Sequence, residues 1–289
     1  MSLSAPLLVA ILLAALLHAG WNALIKSGAD KSLDTALIHS LGVLFAVPAV
    51  LWFGFPPASA WPFIAASSVI HIAYYVALAG AYRYGDLGLT YPVMRGSAPL
   101  LVAVVGSALV GEQLSAQAWL GVIVLSAGVL LVGCARAGHD AANAGHRRKA
   151  LGFALANACI IASYTVIDGM GVRAAGDPFS YAAAIFLLDG LPYMALVLWR
   201  AGPQRGKALQ YLRARAPLAI GGTAASLGSY TIALWAMTHA PVALVAALRE
   251  TSVIFASLIG TWFLGERFGW ARAAGTALVV AGVATLRFS

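Results

Sequence analysis

The chain has 289 residues, of which 61% are hydrophobic and 10% are charged, and its mean hydropathy is +0.87. A soluble globular domain does not carry that composition, so the sequence predicts an integral membrane protein. The formal net charge is +8, but the basic residues gather in two loops, at 136–149 and 200–215. That distribution is a membrane-topology signal, so we predict no nucleic-acid partner. The 2 cysteines have neither metal-ligand nor disulfide spacing, and we predict no metal and no cofactor.

Ten apolar runs follow one another along the chain, and a run of about 20 residues is long enough to cross a bilayer as a helix. The runs do not alternate polar and apolar residues as the strands of a membrane barrel do. The first five are Ala5–Lys26, Thr35–Phe53, Trp61–Arg83, Leu87–Val110 and Ser115–Cys134, and the second five are Ala150–Val172, Phe179–Trp199, Pro217–Thr238, Val242–Leu264 and Trp270–Leu286. We therefore predict an all-α membrane protein with ten transmembrane helices.

The first half of the chain recurs in the second. The matching pairs are Arg95 and Arg249 (249 − 95 = 154 residues apart), Gly111 and Gly265, Glu112 and Glu266, Gly121 and Gly275, and Gly128 and Gly282. The chain thus carries one unit twice. We place a first five-helix repeat at 1–137, a linker loop at 138–148 and a second five-helix repeat at 149–289. Because each unit has an odd number of helices, the copy crosses the membrane with inverted topology, and the basic loops change position accordingly.

Several of these matched residues have structural interpretations. Glu112 and Glu266 each follow a glycine and precede a new apolar run by a few residues. We interpret both as helix-boundary residues, since a carboxylate favours a helix N-terminus. The glycines that lie seven residues apart within the fifth and tenth runs predict close helix packing.

Three stretches carry a resemblance to a known family. YPVMRGSAP at 91–99, followed by LVGE at 109–112, has a copy in ALRETS at 247–252 followed by FLGE at 263–266, and the first run contains HAGWNALIK at 18–26. Together they resemble the drug/metabolite transporter superfamily, EamA type, over essentially the whole chain. The resemblance implies a ten-helix carrier with a central cavity between its halves, moving amino acids, sugars, nucleotide-linked sugars or amphipathic drugs. It also implies cytoplasmic termini, whereas the loop charges place both termini outside, so the orientation stays open.

Two arginines lie deep inside apolar runs, where a charge is costly unless it faces a cavity or a partner. Arg95 lies about 12 Å into its helix at a rise of about 1.5 Å per residue, and Arg249 occupies the matching place in the copy. In antiparallel repeats both would approach one central site, where a guanidinium suits a carboxylate or a phosphate. The alternative is a fixed ion pair with Glu250, Asp168 or Asp189.

The first helix presents one polar stripe. His18, Asn22 and Lys26 stand four residues apart, with Trp21 beside them. We predict that His18, Trp21 and Asn22 line the cavity; the alternative is that His18 and Asn22 only hydrogen-bond a neighbouring helix. Lys26 is expected to reach the membrane interface.

The sixth helix is the repeat counterpart of the first. Tyr164 and Asp168 lie four residues apart on it, and we expect them to face the stripe of the first helix across the cavity. A buried carboxyl group, at Asp168, Asp189 or Glu250, can carry a coupling proton; ion pairing with the arginines is the alternative.

Most aromatic residues in such a chain pack between helices or lie at the interface. Five fall on helices that line the cavity in related carriers, namely Tyr74, Tyr75, Tyr91, Tyr230 and Trp235, and the last four join the predicted site. That substrate-binding set is His18, Trp21, Asn22, Tyr75, Tyr91, Arg95, Tyr164, Asp168, Tyr230, Trp235, Arg249 and Glu250.

The function follows from this mixture of groups. The sequence holds no P-loop, metalloprotease or serine-hydrolase motif, and we predict no enzyme. Cations, anions and aromatics together suit a zwitterion with an apolar portion. We predict a secondary transporter of amino acids or similar small metabolites in the cell inner (plasma) membrane, with export favoured, working by alternating access between the repeats as a monomer or homodimer. Multidrug efflux of lipophilic cations is the alternative; a membrane-embedded enzyme or a scaffold is the alternative without transport.

Overall fold

The computed structural model describes residues 3–84, 87–134, 144–264 and 269–289, and these form helices and turns without any strand. The α-helices are α1 (Ala5–Ser27), α2 (Lys31–Phe53), α3 (Trp61–Tyr84), α4 (Leu87–Val105), α5 (Ala116–Cys134), α6 (Ala144–Ala175), α7 (Pro178–Ala201), α8 (Arg205–Met237), α9 (Val242–Arg249), α10 (Ser252–Leu264) and α11 (Trp270–Arg287). A π-helical turn, Gly106–Val110, continues α4. The all-helical class predicted from the sequence is confirmed.

Many of these helices have the length and the apolar composition of membrane-spanning helices. Six described stretches are long and apolar enough to cross a membrane. One of them, Pro178–Met237, contains both α7 and α8, and a shorter apolar segment, Ala116–Val132, lies within α5. Large apolar side chains such as Trp52 and Trp270, each 85% exposed, cover the outer surface. A chain that threads this many such helices is a multi-pass membrane protein.

The predicted ninth run, Val242–Leu264, is divided into α9 and α10. At the division the amides of Glu250 and Thr251 bond to the carbonyls of Ala247 and Leu248, three residues back. The hydroxyl of Thr251 also donates to the carbonyl of Leu248, at 2.7 Å. These tight bonds replace the α-helical pattern. The hydropathy of the run did not predict the break because the residues on both sides of it stay apolar.

Corresponding turns of the two halves are built alike. Asp30, between α1 and α2, accepts hydrogen bonds from two amides in the first turn of α2, both at 3.0 Å. Asp177, between α6 and α7, does the same for α7, at 3.2 and 2.8 Å. Such caps satisfy amides that a helix N-terminus leaves without partners. The same local solution therefore occurs after the first helix of each half.

The two halves of the chain pack into one another. α1 packs against α8 and α3 against α6, while α2 packs against α7 and α5 against α11. Exchanging the halves turns α1 into α6 and α8 into α3, so the first of these contacts becomes the second. Such an exchange is what a pseudo-twofold relation between inverted repeats requires.

The contact between α5 and α11 brings two backbones together. A Cβ atom on Gly128 would lie 2.7 Å from the amide nitrogen of Val279, and one on Gly275 would lie 2.7 Å from that of Val132. Only glycine permits such an approach. The prediction of close helix packing from the glycine spacing is confirmed.

The helices alternate in direction and define two faces. The amide of Leu3 donates to the carbonyl of Arg287 at 3.1 Å, so these two residues share one face, which we call the terminal face. The turns at 111–115, 176–177 and 238–241 lie on it as well. The turns at 28–30 and 202–204 lie on the opposite face, which we call the far face.

Candidate functional site

Charges from both halves meet where α4 passes the break between α9 and α10. Arg95 Nε lies 2.8 Å from Glu250 Oε2, and the two side chains are 9% and 5% exposed. The sequence left two possibilities for Arg95, a substrate-binding role and a helix-to-helix ion pair. The structure contains the ion pair, and Glu250 is the partner. Glu250 reaches across to the other half rather than to its neighbour Arg249.

Arg249 closes α9 beside this pair. Its Nε is buried and has no hydrogen-bond partner within the described ranges. A buried donor that lacks an acceptor is unfavourable by about 1–3 kcal/mol. Arg249, Arg95, Glu250 and Tyr164 line one small cavity, which is completed by Ala98, Pro99, Val102, Ile161, Thr165 and Ala246. The cavity thus combines a guanidinium able to bind an anion, an ion pair and an apolar wall.

Both helices that carry the arginines are irregular at the cavity. α4 contains Pro92 and Pro99, and a proline inside a helix cannot donate to the carbonyl four residues earlier, which for Pro99 is that of Arg95. α9 ends at Arg249. Irregular backbone at membrane depth is tolerated where it is buried in protein or lines a cavity.

The predicted stripe of α1 lies near this centre. His18 lies within electrostatic range of both arginines, and its ring meets Trp21 edge to face at 5.1 Å between centroids. Trp21 in turn meets His39 at 5.9 Å. The side-chain amide of Asn22 donates to the carbonyl of His18 at 2.7 Å, so Asn22 is bonded within its own helix.

Tyr164 and Asp168 of α6 contact side chains of α3, α7 and α8. Tyr164 stacks on His71 of α3, with 4.5 Å between centroids. Asp168 accepts from the hydroxyls of Tyr181, at 3.0 Å, and Tyr230, at 2.7 Å. α6 packs mainly against α3 and α4, and that Tyr164 and Asp168 face the stripe of α1 across the cavity stays a prediction.

Trp235, another predicted residue, lies away from the cavity. Trp235 packs on His239 at 4.7 Å, close to the terminal end of α8, and apart from the cavity residues. The side chains of Tyr75 and Tyr91 fall outside the part of the chain that is described. Tyr181 was missed by sequence reasoning, because a single tyrosine in an apolar helix carries no signal of a polar partner.

At the terminal face a cluster ties the two halves together. Glu112 Oε1 accepts from Arg173 at 2.9 Å and from the amide of Val242, the first residue of α9, also at 2.9 Å. Arg173 donates in addition to the carbonyls of Met237 and Ala240. We call this set the terminal-face cluster. The prediction that Glu112 is a helix-boundary residue is confirmed, although the helix that it caps belongs to the other half; Glu266 lies outside the described residues.

A comparable cluster lies at the far face. Asp34 accepts from Arg215 at 3.0 Å and from the hydroxyl of Tyr211 at 2.8 Å. Arg215 also donates to the carbonyl of Leu24 at 3.0 Å. We call this set the far-face cluster; it fastens α1 and α2 to α8.

An all-helical membrane fold with inverted, cross-packed halves around a charged cavity defines the class of membrane carriers. Within that class, the model of the EamA-like transporter family matches residues 5–134 and again residues 148–288. The chain therefore belongs to the EamA-like transporter family, and it is a membrane transporter of the drug/metabolite transporter superfamily. The resemblance seen in the sequence is confirmed, and members of the family are transporters rather than enzymes.

Solved structures support the same fold. One whose title reads only "Crystal structure of protein" superposes with a TM-score of 0.76 over 98% of this chain and 96% of that chain, at 23% sequence identity. Such a likeness shows the fold alone. A comparison with curated proteins found no significant match.

Proposed function

We propose that this transporter exports amino acids or similar zwitterionic metabolites across the cell inner membrane, by alternating access to the central cavity. The observation that carries the proposal is Arg249, whose buried Nε has no hydrogen-bond partner within the described residues while it lines the same cavity as the Arg95–Glu250 pair. A carboxylate is the ligand that would satisfy this guanidinium.

The other cavity residues fit the rest of such a substrate. Two guanidinium groups and one carboxylate leave the cavity with a net positive charge, which favours a ligand with a carboxylate over a lipophilic cation. Glu250 offers an acceptor to a substrate ammonium group. Val102 and Ile161 supply apolar surface for a side chain. The chemistry of the cavity therefore supports the zwitterion over the multidrug alternative.

Arg249→Ala tests the proposal. The purified full chain is reconstituted in proteoliposomes, and exchange of a radiolabelled amino-acid hydrolysate is measured. We expect apparent affinity to fall roughly 10- to 100-fold, since a hydrogen bond to a charged group contributes about 1.5–3 kcal/mol. Arg249→Lys should lie between the variant and the wild type, because it keeps the charge and loses the planar fork.

The matched control is Arg205→Ala, which removes an arginine that bonds to the carbonyl of Leu198 at the far face; its exchange should equal that of the wild type. Thermal unfolding with amino acids, organic acids, sugars and lipophilic cations supplies a second readout, since a bound ligand raises Tm. Stabilisation by lipophilic cations alone, unchanged in Arg249→Ala, would replace the zwitterion proposal by multidrug efflux.

A further inference from the structure

Another polar cluster lies beside the cavity, around Asp168. The two carboxylate oxygens accept separately from Tyr181 and Tyr230, at 3.0 and 2.7 Å, and Ser67 lies close to the same carboxylate. Asp168 is 2% exposed, and Ser67 and Tyr181 are fully buried. We call Ser67, Asp168, Tyr181 and Tyr230 the Asp168 cluster; α3, α6, α7 and α8 contribute one member each.

The partners of this carboxylate differ from those of Glu250. Among the described residues, no lysine or arginine forms an ion pair with Asp168. The titratable groups that face it are His71 from α3, Tyr181 from α7 and Tyr230 from α8, and Tyr164 lies one turn away on its own helix. An arginine would hold the ionised form, whereas hydroxyl groups both donate and accept. The Asp168 cluster can therefore hold either a carboxylate or a carboxylic acid.

The Asp168 cluster is joined to the substrate cavity by a continuous row of side chains. Ser67 Oγ lies 3.3 Å from His71 Nδ1, and the His71 ring stacks on Tyr164. Tyr164 lines the cavity together with Arg249, and Tyr230 lies within electrostatic range of the same arginine. A change of charge at Asp168 therefore alters the electrostatic environment of the cavity in which the substrate is proposed to bind.

We infer that Asp168 binds the coupling proton of the transport cycle, an assignment that rests on the proposed transport function. One proton from the aqueous phase on one side forms an O–H bond with the carboxylate. That bond breaks when the proton is released on the other side, so no further reactant is needed. Export of the zwitterion then occurs in exchange for an entering proton, and the proton gradient drives it.

The test uses proteoliposomes of the full chain at zero membrane potential, with the amino-acid hydrolysate as the probe. Two modes are compared: accumulation driven by an acidic lumen, and counterflow of labelled against unlabelled amino acids without a gradient. If one proton is exchanged per substrate, a gradient of one pH unit sustains about a tenfold accumulation in the wild type. Asp168→Asn should abolish this accumulation and retain counterflow, because asparagine keeps the size of the side chain and an acceptor for the hydroxyls.

Asp189→Asn is the matched control, since Asp189 is another buried carboxyl group, on α7, and this variant should accumulate substrate like the wild type. The assignment is overturned if Asp168→Asn still accumulates substrate, if Asp189→Asn loses accumulation equally, or if a sodium gradient and not a proton gradient drives the wild type. It is also overturned if a folded Asp168→Asn loses counterflow. Absence of counterflow in the wild type would instead contradict the proposed substrate.

A second variant keeps the inference testable if Asp168→Asn does not fold. Tyr181→Phe removes one hydroxyl from the Asp168 cluster and leaves the carboxyl group in place. Because the ionised form loses a donor, the pH of half-maximal proton-driven accumulation should move upward while counterflow persists. An unchanged pH profile in a folded Tyr181→Phe variant would contradict the assignment.

Discussion

Arg95 and Glu250 stabilise each other in a place where both side chains are almost completely buried. Their charged atoms lie 2.8 Å apart, on helices from different halves of the chain. Separating such a pair is costly because the remaining ion cannot be hydrated, whereas replacing both partners by apolar groups is often neutral. The pair therefore holds the two halves together, and it also contributes to the charge of the cavity.

Removing one partner should accordingly cost more than removing both. We expect Glu250→Leu to lower the free energy of unfolding by about 3–5 kcal/mol, because it leaves Arg95 without this counter-charge. The double variant Arg95→Met with Glu250→Leu should recover most of that loss and still fail to transport. Thermal unfolding of the single and double variants in detergent measures the coupling; strictly additive losses would show that the ion pair does not stabilise the fold.

The sequence predicted which residues are unusual, but it did not predict which of them contact each other. Arg95 and Arg249 stood out because charges at membrane depth are rare. Glu250 pairs with Arg95 rather than with Arg249 because of the distances between the helices. The periodicity of a sequence does not encode those distances. Asp168 was recognised as a buried acid, but its partner Tyr181 was not, because tyrosine is common in apolar helices for packing alone.

Among the described elements, α5 and α11 share the most extensive helix-to-helix contact. We expect Gly128→Ala to separate them and to lower the free energy of unfolding by about 1–3 kcal/mol, because the added Cβ would lie 2.7 Å from one backbone atom of α11 and 2.8 Å from another. Gly221→Ala in α8 is the matched control, since no atom lies within 4 Å of a Cβ there. Thermal unfolding of both variants checks this; equal stability of Gly128→Ala and wild type would contradict the direct backbone contact.

Helix positions were predicted well where the helix is apolar throughout, because hydropathy follows the lipid-exposed length. α8 shows where this fails. It begins at Arg205, well before the predicted start at Pro217, because its first turns are basic and carry no hydropathy signal. Those turns hold Tyr211 and Arg215, which bind Asp34, so the far-face cluster lay outside any apolar run.

The packing of helices from one half against helices from the other determines which groups of helices can move as units. Since α1 packs against α8 and α3 against α6, the two halves of the sequence do not separate as units. The terminal-face cluster links α6, through Arg173, to the turn between α8 and α9. It therefore spans the two cross-packed pairs, whereas the far-face cluster lies within the α1–α8 side.

Opening toward the terminal face should accordingly require the terminal-face cluster to break. We expect Glu112→Gln to raise the labelling of a cavity cysteine, Ala246→Cys, by a membrane-impermeant maleimide added at that face, in a background with Cys134 and Cys159 replaced by serine. Right-side-out and inside-out vesicles are compared, and one of the two should respond. Asp34→Asn is the control with the same chemistry at the far face.

In Asp34→Asn the labelling should stay at the level of the parent, although the protein becomes less stable. Equal labelling of Glu112→Gln and its parent in both kinds of vesicle would show that the terminal-face cluster does not control access. An equal rise in both variants would indicate general loosening rather than a gate.

The interleaving of early and late helices also fixes the order in which the protein can mature during its synthesis. The carboxylate of Asp34 meets its guanidinium partner 181 residues later in the chain, and Ser229 bonds to the carbonyl of Ala14. At about 5–20 residues per second, the ribosome needs roughly 10–40 s to supply the missing partner. During that interval Asp34 and the carbonyl of Ala14 lack these partners, so the first half cannot reach its final packing before α8 has been made.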